Sequence, residues 1–447
     1  MNASPAQPPA ASPAHDPDEL ARRLGTSDAA VIGVGSMVGA GVFVAFAPAA
    51  AHAGSLLPVA LLLAAVVAWC NATSTAQLAM VHPSSGGTYV YANRQLGQWA
   101  GFTAGWGFVT GKTASAAGMS MAFGLYAASL LGIDDADAAA RALAVAAIVV
   151  LTGVNLGGIT RTAGLTRILV SVVLLILAVV AGLAAAALSA STMFGAGPSV
   201  QEGGGGALGV LPAAGLLFFA FAGYARVATM GEEVRDPQRT IPRAILGALA
   251  FVLVVYLVLA VLLLGLLGAG GLAASSAPFL SASQEISVRL GLGDGAATAL
   301  SAAVTVAAAA GALGALLALV AGISRTTLAM ARERDLPGYL SRISGRQVPW
   351  ASELTTAVVV IALIVLTDLH TVIGFSSFGV LVYYALANLS ALTLHERPRW
   401  ASRGLNIVGL IGCLLLAFTL PWQSVAVMIG IFAVGFAGRA IVLNRRS

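Results

Sequence analysis

Apolar runs about 20 residues long recur from one end of the chain to the other, and each can cross a hydrocarbon core about 30 Å thick as a helix. In lipid every backbone polar group must be satisfied internally, so only helices and closed barrels span a bilayer. A barrel would read as ~10-residue segments of alternating polarity, and the sequence contains none. Only 9% of the residues are charged, against about 25% in a soluble domain, and mean hydropathy is +0.92. So few charges cannot cover the surface of a 447-residue globule. The expected class is an all-α integral membrane protein.

The runs predict twelve transmembrane spans, near 27–50, 56–80, 98–130, 138–157, 164–190, 208–230, 242–268, 298–330, 350–367, 371–393, 404–420 and 422–442. Of the 23 Lys and Arg, only Arg141 and Arg289 fall in outer loops, and only Lys112 and Arg226 are read as lying within spans. The remainder, Arg325 included, are assigned to cytoplasmic ends. That positive-inside bias predicts a cell membrane protein with both termini in the cytoplasm. The net charge of +5 is thereby accounted for without a nucleic-acid partner. Cys70 and Cys413 lie in apolar spans and imply no disulfide or Cys metal site. Residues 1–18 are Ala/Pro-rich with no apolar core, and are read as a disordered tail and not a signal peptide.

Two runs are broken where a membrane helix should be smooth. Val31-Ile-Gly-Val-Gly-Ser-Met-Val-Gly-Ala-Gly-Val-Phe43 carries glycines at 33, 35, 39 and 41. The second, Phe218-Phe-Ala-Phe-Ala-Gly-Tyr224, runs on to Gly231-Glu-Glu-Val-Arg-Asp-Pro237. Each interior Gly costs about 1 kcal/mol relative to Ala, which favours local unwinding. Unwound backbone is tolerated at membrane depth only inside protein or against a cavity. Interrupted helices at matching places in two halves of a chain point to the binding site of a secondary transporter.

The spacing divides the chain into a tail (1–26), a first set of five spans (27–190), a second set of five (208–393), two appended spans (404–442) and a short tail (443–447). A five-span unit enters the membrane in opposite senses the two times it occurs, giving an inverted repeat.

Four motifs in order resemble the amino acid–polyamine–organocation superfamily of permeases: Gly35-Ser-Met-Val-Gly-Ala-Gly-Val-Phe43; Pro83-Ser-Ser-Gly-Gly-Thr-Tyr89; Phe219-Ala-Phe-Ala-Gly-Tyr224 with Glu232-Glu-Val-Arg-Asp-Pro-Gln-Arg-Thr-Ile-Pro242; and Met330-Ala-Arg-Glu-Arg-Asp-Leu-Pro337. The resemblance covers the chain beyond residue 26 and implies the LeuT-like five-plus-five fold and secondary transport of amino acids.

Unpaired N–H groups on Val38, Gly39, Ala40 and Gly41, with the positive end of the outer half-helix, form a ready anion site. The resemblance implies that this break holds a substrate α-carboxylate through Ala40 and Gly41. It places the α-ammonium on freed backbone around Phe219 and Ala222, joined by the Met37 carbonyl, with Phe219 also as an aromatic gate. The structural alternatives are small-residue packing of Gly35 with Gly39 and an ordinary core Phe. Ala225 stands where many relatives carry an acid, and no Asp or Glu is read as lying in the membrane core. Neutral amino acids are therefore expected, since a buried cationic side chain would lack a counter-ion. Arg226 is expected either to snorkel or to join Glu232 and Glu233 in an inner gate, whose bland counterpart is a solvated interfacial face.

Lys112 is the only lysine. Relatives with proton coupling carry a lysine in the fifth span, where Val173 stands here. Lysine at membrane depth is unfavourable by about 2.5–3.5 kcal/mol, so Lys112 is expected to couple proton symport by bridging towards the first span, or else to snorkel inward. His15, His52, His82, His370 and His395 are scattered and form no catalytic or metal constellation. No ATP-binding motif is present, and no cofactor, metal or enzymatic activity is expected. The alternatives are a cationic amino acid or polyamine permease or exchanger, a channel, and a receptor that binds amino acid without moving it.

Overall fold

The computed structural model describes all residues except 1–23, 83–85, 134–135, 194–205, 229, 231–232, 396, 399 and 445–447. Most of the expected N-terminal tail, residues 194–205 between the two five-span sets, and Glu232 therefore lie outside the described residues. The described chain is built from helices, with one isolated bridge between Leu24 and Val234.

The first apolar run is three helices: α1 (Thr26–Met37), α2 (Ala40–Val44) and α3 (Phe46–Ala53). The next, α4 (Leu57–Val81), has Pro58 in its first turn, where an N–H is not needed. After α4, a stretch too polar to span folds as α5 (Thr88–Leu96) and leads into α6 (Gln98–Leu131), α7 (Ala136–Leu156) and α8 (Ile159–Met193). The second broken run is α9 (Val210–Phe221), a 3-10 turn (Ala222–Tyr224) and α10 (Ala225–Ala228).

Beyond it, α11 (Pro237–Ala274) bends where Gly268 takes φ 69° and ψ 169°. That kink coincides with the predicted end of the seventh span, and the helix continues past it. A short helix, α12 (Pro278–Arg289), then precedes α13 (Asp294–Arg332), α14 (Trp350–Leu366), α15 (Leu369–Leu392), α16 (Arg403–Thr419) and α17 (Trp422–Asn444). The hydropathy pattern did not foresee α12, which is amphiphilic and too short to span.

Ten segments are long and apolar enough to cross a membrane among the described residues, while α14 and α16 are apolar helices of 17 residues each. The 34 residues of α6 extend about 51 Å at 1.5 Å per residue, so such helices must tilt or project beyond the hydrocarbon. In the bundle α6 packs against α13, α15 and α7, while α1 lies against α11, α8 and α13. The two broken runs are largely buried in the bundle, at 76% and 72%, against 28% for the apolar stretches of α8 and α17.

Candidate functional site

The two breaks cross backbone to backbone. After Met37 the chain leaves the helix at Val38 (ψ 32°) and Gly39 (φ −84°, ψ −151°), then re-enters it at Ala40. A Cβ on Gly223 would collide with the Ser36 carbonyl, and one on Gly41 would lie 2.9 Å from Ala220 Cα. Only glycine permits either approach. Gly35 and Gly39 do not pack on each other's interface as expected. Gly35 faces Val170 and Thr166 of α8, whereas Gly39 faces Ala315 of α13.

The backbone groups freed by the breaks are only partly as expected. The Val38 N–H donates to the Val34 carbonyl at 2.7 Å, so it closes α1 and is not part of an open anion site. Ala40 and Gly41 open α2, where first-turn N–H groups have no intrahelical acceptor. The carbonyls expected to hold an ammonium already accept from the protein itself. The Tyr256 hydroxyl donates to the Met37 carbonyl at 2.5 Å and lies 3.2 Å from the Ala220 carbonyl. The Ala222 carbonyl accepts from Lys112 Nζ at 2.8 Å and from the Tyr384 hydroxyl at 3.3 Å. Phe219 is buried on α9 next to this turn, and Ala225 begins α10 just beyond it. Hydropathy hides Tyr256 and Tyr384, because each stands within an apolar run that reads as an ordinary span.

Lys112 sits on α6 with 3% of its surface exposed. It neither snorkels to an interface nor bridges towards the first span; its ammonium reaches the turn in the sixth. Among the described residues no ion pair includes it. A charge-assisted bond to one carbonyl is thus the contact that holds its cation in the bundle.

One end of the broken runs is closed by four buried charges. Arg226 of α10 approaches Glu233 with Nη2 3.6 Å from Oε2, and Arg325 of α13 donates through Nε to Glu233 Oε1. Glu353, in the first turn of α14 and 1% exposed, accepts from the Ser324 hydroxyl at 3.4 Å. Arg226 is therefore not a snorkelling residue, nor is Glu233 part of a solvated face. Two readings of the sequence are corrected with them: Glu353 is an acid buried within an apolar span, and Arg325 is buried and not a cytoplasmic charge. Both stand near the ends of apolar runs, where depth depends on what packs around the helix end. Burial pushes the Glu233 carboxyl up, but Arg325 and Arg226 outweigh it and hold the group below the usual carboxylate value of 4.5.

The chain just before α1 straps this loop down. The Leu24 N–H donates to the Glu233 carbonyl at 3.1 Å, and the Arg235 N–H donates to the Leu24 carbonyl at 2.9 Å. At the opposite end of α11 lies a cleft of about 370 Å³ lined by residues including Pro48, His52, Leu216 and Ser275.

A second buried pair joins two of the sequence motifs. Asp335 accepts from Arg439 Nη2 at 2.9 Å and from the Tyr89 hydroxyl at 2.9 Å, while the Arg439 guanidinium lies over Trp99 and Phe102. The eighth span, expected to end near residue 330, does so: α13 stops at Arg332, and the Asp335 N–H donates back to the Met330 carbonyl at 2.8 Å.

The family described as amino acid permease matches residues 24–438. An uncharacterized transporter of Mycobacterium tuberculosis is 51% identical over 96% of this chain and 94% of its own length. The branched-chain amino acid permease of Bacillus subtilis is 25% identical over 91% of this chain and 90% of its own. The vacuolar cationic amino acid transporter 4 of Arabidopsis thaliana is 29% identical over 86% of this chain and 64% of its own. A helical multi-pass protein that matches over nearly its whole length belongs to the amino acid permease family.

Proposed function

We propose that this protein is a secondary carrier that moves amino acids across the cell membrane by alternating access, with neutral amino acids preferred and protons as the coupling ion. The observation that carries the reading is the crossing of two helix breaks at Gly223 and Ser36 inside an apolar bundle. One break offers the first-turn amides of α2 to a carboxylate, and the other offers carbonyls at a helix end to a cation. In this reading α14 and α16 complete twelve spans in a five-plus-five inverted repeat with both termini cytoplasmic.

Substrate binds at Gly39, Ala40 and Gly41 on one side and at Phe219 and Ala222 on the other, with Phe219 as gate and Ala225 beside the side-chain pocket. Arg226 and Glu233, with Glu232 and Arg325, form the inner gate, and Lys112 couples the proton. Neutral selectivity is supported by the pairing of Glu233 with Arg325 and Arg226 and by the hydrogen bond of Glu353 to Ser324, neither acid being bonded to the turn. The relatives named for branched-chain and for cationic amino acids make the contrast worth testing directly. Counterflow in proteoliposomes, across a panel of labelled amino acids, should give transient accumulation of neutral members. Monodisperse reconstituted protein that exchanges no amino acid would overturn the reading.

A further inference from the structure

We propose that the protonated Lys112 and the ammonium of a bound amino acid compete for the Ala222 carbonyl, so that substrate binding expels a proton and the two cross in opposite directions. The inference rests on the transport reading above and reverses the symport expected from the sequence.

The geometry carries it. The Met37 and Ala222 carbonyls at the crossing already accept from Tyr256, and from Lys112 and Tyr384. An incoming ammonium must displace one of these donors. The tyrosine hydroxyls can rotate, and their oxygens can accept from the newcomer. A lysine ammonium can turn but never accept, because it has three donors and no acceptor. Two cations on one carbonyl in a buried site repel strongly, with little solvent to screen them.

The contest is decided by loss of the Lys112 proton. One N–H bond breaks, the proton passes to water, and the neutral amine leaves the carbonyl to the substrate ammonium. No other bond changes and no redox partner is involved.

The surroundings leave this exchange to Lys112. Facing it from α15 is Tyr384, with Tyr224 of the turn stacked on that ring at 5.0 Å. Arg226 of α10 and Arg325 of α13 are paired with Glu233, and Glu353 of α14 accepts from Ser324. The charged groups of α5, α7 and α17 have other partners: Arg94 lies beside His82, Arg141 pairs with Asp137, and Arg439 with Asp335. With no acidic partner among the described residues, the carbonyl is what favours the charged form, and losing it to a substrate favours release.

The test compares L-alanine and L-leucine, and the remaining amino acids of the counterflow panel, with their des-amino acids, propionate and isocaproate for the first two. Each is titrated into the purified full chain in weakly buffered detergent containing a pH-sensitive dye. Amino acid binding should acidify the solution, and its affinity should rise with pH by up to about tenfold per unit, the limit for one released proton. The des-amino acids keep the carboxylate but cannot claim the carbonyl, so they should release no proton and should not gain affinity with pH. Lys112→Met should bind the amino acid without proton release. Lys112→Arg, a fixed cation, should weaken amino acids at every pH while sparing the des-amino acids. Amino acid binding that takes up protons, or that ignores pH in the parent protein, overturns the competition and leaves the transport reading standing. Failure of every amino acid to bind overturns both.

Discussion

The Tyr256 hydroxyl donates to the Met37 carbonyl at 2.5 Å while lying 3.2 Å from the Ala220 carbonyl. One side chain of α11 thereby ties the end of α1 to the last turn of α9. Its ring is held in turn by Phe46 and Phe221, with centroids 6.2 and 5.2 Å away. Tyr256→Phe keeps the ring and removes the donor, leaving two buried carbonyls without it. A stability loss of about 1–3 kcal/mol is expected, with a fall in uptake as the two breaks lose their register. Thermal unfolding in detergent and counterflow measure the two effects. Unchanged values in both would show that the hydroxyl does not hold the breaks together.

Gly223→Ala and Gly41→Val should each abolish uptake while leaving membrane insertion intact. The first sets a methyl against the Ser36 carbonyl, and the second presses a branched side chain on Ala220. Surface biotinylation or fluorescence size-exclusion would verify insertion. Gly41→Val fails by packing alone, so the carboxylate subsite needs a separate probe. Amidated amino acids, which lack the carboxylate, should not compete for transport.

The ion cluster should confer acid sensitivity. The folded-state value of Glu233 is held below its ordinary 4.5 by Arg325 and Arg226 against the push of burial. A carboxyl lowered on folding contributes stability that is fully present above its unfolded value and lost as pH falls through the folded one. The melting temperature should therefore drop on acidification below the ordinary carboxylate value, and Glu233→Gln should show a shallower drop from a lower plateau. Arg325→Ala should be worse at neutral pH, by about 3–5 kcal/mol, because it strands a buried carboxylate. An acid response in Glu233→Gln equal to the parent's would contradict the assignment.

Neutral amino acids should compete for transport better than arginine, lysine or putrescine. Of the two buried acids in the cluster, Glu233 is already paired with Arg325 and Arg226 and Glu353 accepts from Ser324, and the donors bonded at the Ala222 turn bring no acid to a cationic side chain there. Competition against a labelled neutral substrate gives the order directly, and arginine or putrescine at its head would refute the selectivity argument.

The membrane class, the helical architecture and the positions of both breaks were determined by the sequence alone, because hydropathy over 20 residues and glycine's backbone freedom are local properties. What those glycines pack against was not legible: Gly35 meets Val170, Gly39 meets Ala315 and Gly41 meets Ala220, on three different helices. Charge placement was decided by the tertiary structure. Lys112 finds Ala222 across 110 residues of sequence, and no periodicity in α6 names that carbonyl. Arg325 and Glu353 lie at the ends of apolar helices, where a charge is either solvated or buried according to the loop that covers it. Here Leu24 and the Glu233 loop cover the cluster. Val38 is the converse case: its N–H belongs to a glycine-rich break by sequence, yet the last turn of α1 claims it. Local chemistry says where the helix must open, whereas the donors that fill the opening arrive from α6, α11 and α15, and only folding brings them there.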